Sequence, residues 1–274
     1  MLSGDKFEKI ETKILMGKII AFANQKGGVG KTTSTVNLGA SLVTFDKKVL
    51  IVDVDPQANA TSGLGLDVNS LKGTSVYECL VDGVDAKSVI KHTSMENLDI
   101  LPSHINLVGA EIQLLNFENR ESVMKGILDP LKDEYDYILV DCSPSLGIIT
   151  LNALTCADSV LIPVQAEYYA LEGIAKLMNT IKIVKTKLNA SLDIEGFLIT
   201  MYDARARLSR QVVEEINRLF PTHTYQTIIS RNVKLAEAPS YGKNIIEFDI
   251  DSPGAKNYRQ FAQEFLSRES LRKA

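Results

Sequence analysis

At 274 residues, with 45% hydrophobic and 23% charged residues, the chain is long enough to bury a sizeable core, and its composition excludes disordered and fibrous classes. No stretch approaches the ~20 apolar residues of a membrane span, the start carries no secretory hydrophobic region, and three cysteines without C-x-x-C spacing (Cys79, Cys142, Cys156) exclude a disulfide framework or a tetrathiolate zinc site. The net charge of −4 is unevenly spread: residues 176–243 hold 11 Lys+Arg against 6 Asp+Glu, so this window is +5 and the remainder −9.

Residues 1–15 read as a polar leader, with Met1 and Met16 both open as the native start, and residues 16–274 as a single domain without repeats or linkers. The apolar run 19–23 is short enough for a buried strand, a glycine cluster follows, and 33–44 has a helical pattern. A second buried strand at 49–52 closes on Asp53 and Pro56. The alternation continues with strands at 98–101, 137–140, 160–164 and 197–200 and helices at 105–115, 122–131 and 170–188. Beyond Arg207 come a helix to Phe220, a strand near 227–229 and a last helix from Pro253. Near-continuous hydrophobic strands alternating with helices predict an α/β fold, a mostly parallel sheet flanked by helices on both faces.

The strongest chemical signal sits between the first strand and the first helix: Lys26-Gly27-Gly28-Val29-Gly30-Lys31-Thr32-Thr33. Glycines let backbone N–H groups converge on phosphate oxygens at a helix N-terminus, Lys31 would hold the β/γ-phosphates, and the Thr32 hydroxyl would ligate Mg²⁺. The plain phosphate-loop pattern demands glycine where this chain has Gln25, and a second lysine, Lys26, lies inside the loop. Two strands end in acids at the edge where α/β sheets bind ligands. Val52-Asp53-Val54-Asp55 is one; Leu139-Val140-Asp141 is the other, with Asp141 suited to reach Mg²⁺ through water. His92, His104 and His223 are scattered and read as structural or solvated.

With these motifs the chain resembles the ParA/Soj/MinD group of deviant Walker ATPases, and most of all its chromosomal ParA/Soj branch. The segments carrying the resemblance are KGGVGKTT at 26–33, DVDPQANATSGLG at 53–65, YILVDCSPSLG at 137–147, PVQAEYYALEG at 163–173 and RNVKLAEAPSYGK at 231–243. The resemblance implies a P-loop NTPase fold, Mg²⁺-dependent ATP hydrolysis that is slow without a partner, and an ATP-bound homodimer. It implies that the lysine matching Lys26 crosses to the partner's nucleotide, the acid matching Asp55 orients the attacking water, and the asparagine matching Asn232 lies against the base. Phosphoryl transfer to water needs neutralisation and positioning, which Lys31, Mg²⁺ and Asp55 are chemically able to supply. The sequence departs from the family pattern at Asp141-Cys142-Ser143-Pro144 and at Ser230, where the family often has proline.

The family serves several purposes, and the rest of the chain discriminates among them. Arg205, Arg207 and Arg210 fall in one segment and Arg231, Lys234 and Lys243 in another; the resemblance implies that the arginines matching Arg205 and Arg231 touch DNA backbone. Phosphate contacts make binding sequence-independent and steeply salt-sensitive. The expectation is a nucleoid-associated partition ATPase released from non-specific double-stranded DNA when a ParB/Spo0J-type protein stimulates hydrolysis. The alternative is a MinD-like positioning or scaffold protein acting on a membrane or protein surface. Tyr258, Phe261, Phe265 and Leu266 form only a narrow stripe and the end mixes charges, so core packing is expected there and stable membrane binding is not. About fifteen residues ahead of the first strand leave no room for a helix-turn-helix domain, so operator-specific autoregulation is not expected.

Overall fold

The computed structural model describes residues 16–167 and 170–273. The predicted leader at 1–15, and Tyr168 and Tyr169 of the 163–173 segment, lie outside the described residues.

Seven strands form one sheet: β1 (Lys18–Phe22), β2 (Val49–Val54), β3 (Lys91–His92), β4 (Leu98–Leu101), β5 (Tyr137–Cys142), β6 (Ser159–Gln165) and β7 (Asp193–Thr200), in the order β3-β4-β2-β5-β1-β6-β7. All neighbours are parallel except β3 and β4. The central strands are buried on both faces, which is why they read as unbroken apolar runs and not as alternating patterns. The predicted strand near 227–229 is absent; that stretch runs beside β7 through isolated bridges, Phe197 to Thr224 and Tyr202 to Ser230, and never forms a ladder. β3 was not foreseen, because two polar residues on an edge carry no period.

The described residues contain twelve α-helices: α1 (Lys31–Val43), α2 (Asn59–Gly63), α3 (Val76–Val81), α4 (Ala86–Val89), α5 (Leu107–Gln113), α6 (Val123–Leu128), α7 (Ile148–Cys156), α8 (Ala170–Lys187), α9 (Arg207–Leu219), α10 (Val233–Glu237), α11 (Ile245–Phe248) and α12 (Pro253–Lys273). Helices α3, α4, α10 and α11 start at capping side chains (Ser75, Asp85, Asn232 and Asn244), and with α2 and the nearly all-buried α7 they were not legible from periodicity. Ser75 and Glu78, for example, close a reciprocal capping box on α3.

Helices α1 and α12 cover one face of the sheet. Gly39 lets α1 sit down on Ile51 and Leu98, since a Cβ there would lie 3.3 Å from both side chains. Helix α12 buries Ala255, Tyr258, Phe261, Ala262 and Phe265 against the same layer, so the expected C-terminal stripe is core, with Leu266 packed at its margin. The opposite face carries α3 and α5 to α9. At the amino-terminal edge of the sheet, the fully buried Glu195 takes hydrogen bonds from Lys18 (2.5 Å), Arg272 (2.7 Å), Ser159 and Tyr225, which pins α12 to β1 and β7. The phosphate loop lies at the other edge. Among the described residues no helix is long and apolar enough to cross a membrane.

Candidate functional site

Between β1 and α1 the chain turns through left-handed backbone at Gly28 (φ 73°) and Gly30 (φ 84°), conformations that side-chain-bearing residues rarely adopt. Asn24 ties the loop to β6 by donating to the Pro163 carbonyl (2.8 Å) and accepting from the Lys26 N–H (3.0 Å). Helix α1 begins at Gly30 with no side-chain cap and no acid in its first turn, so its leading N–H groups stay available to an anion. The Lys31 ammonium reaches back to the Lys26 carbonyl at 3.2 Å. Burial lowers the Lys31 pKa from its ordinary value, opposed by the nearby charge of Asp141.

Gly27, Gly28, Gly30, Lys31, Thr32 and Thr33 line a cavity of 650 Å³, which Asp55, Gln57 and Pro144 close from the opposite side. Asp53 and Asp141 stand opposite each other across β2 and β5, both fully buried. Burial pushes both carboxyls above the usual range; the charge of Asp53 adds to this at Asp141, while a Thr32 hydrogen bond opposes it. The two acids differ in what they do. Asp53 is spent on architecture, accepting from the Thr61 N–H (2.9 Å), the Thr61 hydroxyl (2.7 Å) and the Asp55 N–H (3.1 Å). Asp141 accepts from the Thr35 hydroxyl (3.2 Å) on Oδ1, and its buried Oδ2 has no hydrogen-bond partner. An orphaned carboxylate oxygen behind the Thr32 hydroxyl fits a hydrated Mg²⁺, whose water would donate to it. Asp55 points its chemistry at the cavity; its Oδ1 accepts from the Gln57 N–H (3.0 Å) and its carbonyl from the Ser103 hydroxyl (2.7 Å).

The Lys26 side chain does not join this group, because its ammonium pairs with Glu167. Val29 is buried, its carbonyl accepting from the Thr200 hydroxyl at 2.8 Å. A second cavity of 260 Å³ adjoins the first at Gly30 and Thr33 and is walled by Thr200, Met201, Arg231 and Asn232. Asn232 caps α10 by accepting from the Lys234 N–H (2.8 Å), which leaves its NH₂ free to donate into the cavity. Met201 holds a left-handed backbone (φ 48°) at the end of β7. Sequence reasoning missed Thr200, Met201 and Gln57, since no spacing marks a wall built from distant loops.

The basic residues divide. Arg205 forms a two-pronged ion pair with Asp203 (3.0 and 2.8 Å), and Asp203 is held down to about 2, first by the hydrogen bonds from Arg205, with Arg231 adding a smaller pull. Arg205 and Arg231 are both exposed. Lys234 pairs with Glu237 (3.0 Å), and Lys243 lines the large cavity. Arg207 and Arg210 open α9 and are exposed.

A family model described as an AAA domain matches residues 17–194. The chain is 55% identical over 249 residues to the sporulation initiation inhibitor protein Soj of Bacillus subtilis, covering 91% of this chain and 98% of that protein. It is 48% identical to the chromosome-partitioning ATPase Soj of Treponema pallidum, covering 94% and 100%. Among solved structures, cobyrinic acid a,c-diamide synthase from Mycobacterium smegmatis with bound ADP and magnesium superposes with a TM-score of 0.81 at 36% identity, covering 93% of this chain and 96% of that one. The identity extends over nearly the whole chain and the fold matches that of a nucleotide-bound relative: the chain belongs to the ParA/Soj family of chromosome-partitioning ATPases.

Proposed function

We propose that this ATPase is a DNA-segregation switch: ATP and Mg²⁺ assemble a sandwich homodimer, the dimer holds double-stranded DNA without sequence preference, and a ParB/Spo0J-type partner speeds hydrolysis to release it. Gly27 to Thr33 cradle the phosphates; Thr32 and Asp141 would hold Mg²⁺ and its water, and the ion would neutralise phosphate charge. Asp55 orients the attacking water, and Asn232 donates to the base. Lys26 reaches the partner's nucleotide only by exchanging Glu167 for phosphate, so the second charge clamp exists only in the dimer. The observation that carries the reading is Arg231, an exposed cation that walls the smaller cavity beside Asn232. Nucleotide and exposed cations thus meet in one short segment. Acting on DNA, the protein is placed on the nucleoid in the cytoplasm; the alternative surface is a membrane or another protein.

Retention on a random-sequence duplex with ATP, ADP or no nucleotide, at two salt concentrations, tests this. Retention only with ATP, lost steeply as salt rises, is the expected result. Asp55→Ala should stay on DNA with ATP, and Arg231→Glu should lose DNA while still dimerising. No retention of an ATP-binding wild type would move the switch to the membrane or protein surface, which vesicle sedimentation would then separate.

A further inference from the structure

Helix α1 packs Val36, Leu38 and Leu42 into the core, yet the fully buried position 35 carries a hydroxyl where valine would fill the same space. A buried hydroxyl costs stability unless it is bonded. This one has a single proton and two acceptors in reach: the Lys31 carbonyl one turn back (3.0 Å) and Asp141 Oδ1 on β5 (3.2 Å). The carbonyl gains little from it, since a helix already serves that oxygen with the backbone N–H four residues on. The carboxylate gains more, because a buried charge short of donors is costly.

The two buried acids are supplied unequally. Asp53 draws three donors from Thr61 and Asp55. Asp141 has Thr32, which lines the large cavity, and Thr35, three residues further along the same face of α1 and behind the cavity wall. In the function proposed above the Thr32 hydroxyl belongs to Mg²⁺, so Thr35 is the donor left to fix the carboxylate. A carboxylate turns easily about its last bond. Pinned at Oδ1, its plane is set, and the buried, unpartnered Oδ2 is the oxygen left for the ion's water.

We infer that Thr35 is a positioning residue for the Mg²⁺ site: its hydroxyl holds Asp141 Oδ1 and thereby leaves Oδ2 turned to the ion's water. The inference rests on the assignment of Asp141 to Mg²⁺ made above and names what aims that acid. Thr35 touches neither nucleotide nor ion and acts only through Asp141. A valine here keeps the packing and frees the carboxylate to turn, so the ion is held less tightly while the phosphate loop is unaltered.

The test loads the full chain with one equivalent of ADP, so that neither hydrolysis nor dimer assembly enters, and titrates Mn²⁺ as the probe for Mg²⁺, with free ion read by electron paramagnetic resonance. Thr35→Val should weaken Mn²⁺ binding about tenfold, Thr35→Ser should stay within about twofold of wild type, and calorimetric ADP affinity in EDTA should be the same for all three. Thr35→Ala removes the same hydroxyl without the second methyl group and reads the inference should valine crowd the helix. Asp141→Asn should also weaken Mn²⁺, and adding Thr35→Val to it should cost nothing further. Wild-type Mn²⁺ affinity in Thr35→Val beside a weakened Asp141→Asn would overturn the role of Thr35 and leave Asp141 on the ion. Wild-type affinity in Asp141→Asn would refute the assignment of Asp141, and the inference with it. A full further loss in the double variant, or an equal loss of ADP affinity in EDTA, would show that Thr35 supports the helix and not the acid.

Discussion

Thr61→Val removes one oxygen and almost no volume, yet that oxygen joins three parts of the site. It donates to the buried Asp53 carboxylate at 2.7 Å and accepts from the buried Ser103 N–H at 2.9 Å. Losing a hydrogen bond to a charged group costs about 1.5–3 kcal/mol, and leaving a buried N–H without a partner costs about 1–3 kcal/mol more. The sum is about 2.5–6 kcal/mol, a large share of the 5–15 kcal/mol that separates a typical folded protein from its unfolded state. At an m-value of about 3 kcal/mol/M, the urea midpoint should fall by about 1 M or more with the slope unchanged. Thr61→Ser keeps the hydroxyl and loses one methyl group, at about 1 kcal/mol. Because Asp53 and Ser103 both position Asp55, the valine variant should also hydrolyse ATP more slowly while still binding it. A midpoint shift below a third of a molar, or equal losses for serine and valine, would show that the hydroxyl bridge does not hold the loop.

Lys31→Ala should abolish the rise in Tm that saturating ATP produces, while leaving the Tm without nucleotide unchanged or higher. Burial works against the Lys31 ammonium, whose hydrogen bond goes to a single carbonyl, so a fall of several degrees without ATP would refute this account. Glu195→Gln should destabilise by about 1.5–3 kcal/mol in chemical denaturation, since it removes the buried one of the two carboxylates that Lys18 and Arg272 share and leaves them Glu269. Burial alone would raise the Glu195 pKa, but Lys18, Ser159 and Arg272 outweigh it and hold it below the ordinary value. A carboxyl depressed on folding contributes stability that is complete above its unfolded pKa, near 4.3, and fades as pH falls through the folded one. Wild type should therefore lose stability below about pH 4.3 more steeply than Glu195→Gln, and parallel acid-unfolding curves would contradict that.

Local chemistry made much of the molecule readable from its sequence. Strands covered on both faces must be apolar without interruption, so β1, β2, β5, β6 and β7 were visible as runs, and helices with an apolar stripe came with them; α7, buried on nearly every side, shows no stripe and was missed. The phosphate loop was visible because its demands are local: left-handed backbone at Gly28 and Gly30, an uncapped helix start, and a lysine one residue on. Two acid-tipped strands were likewise visible, and Asp141 was assigned to Mg²⁺ from its place after a strand; what each carboxylate contacts was not visible. Only the fold commits Asp53 to Thr61 and leaves an Asp141 oxygen unpartnered, because those contacts join residues 8 and 106 positions apart. The same holds for the Lys26 pair with Glu167, for the smaller cavity walled by Met201 and Asn232, and for the placement of Arg231 in the wall of that cavity. It holds most for α5. Its periodicity announced a helix, but a periodic pattern cannot say which apolar positions meet a core and which meet water. The packing of Leu107, Ala110 and Leu114 decided that, and left Ile105, Val108, Ile112 and Leu115 exposed.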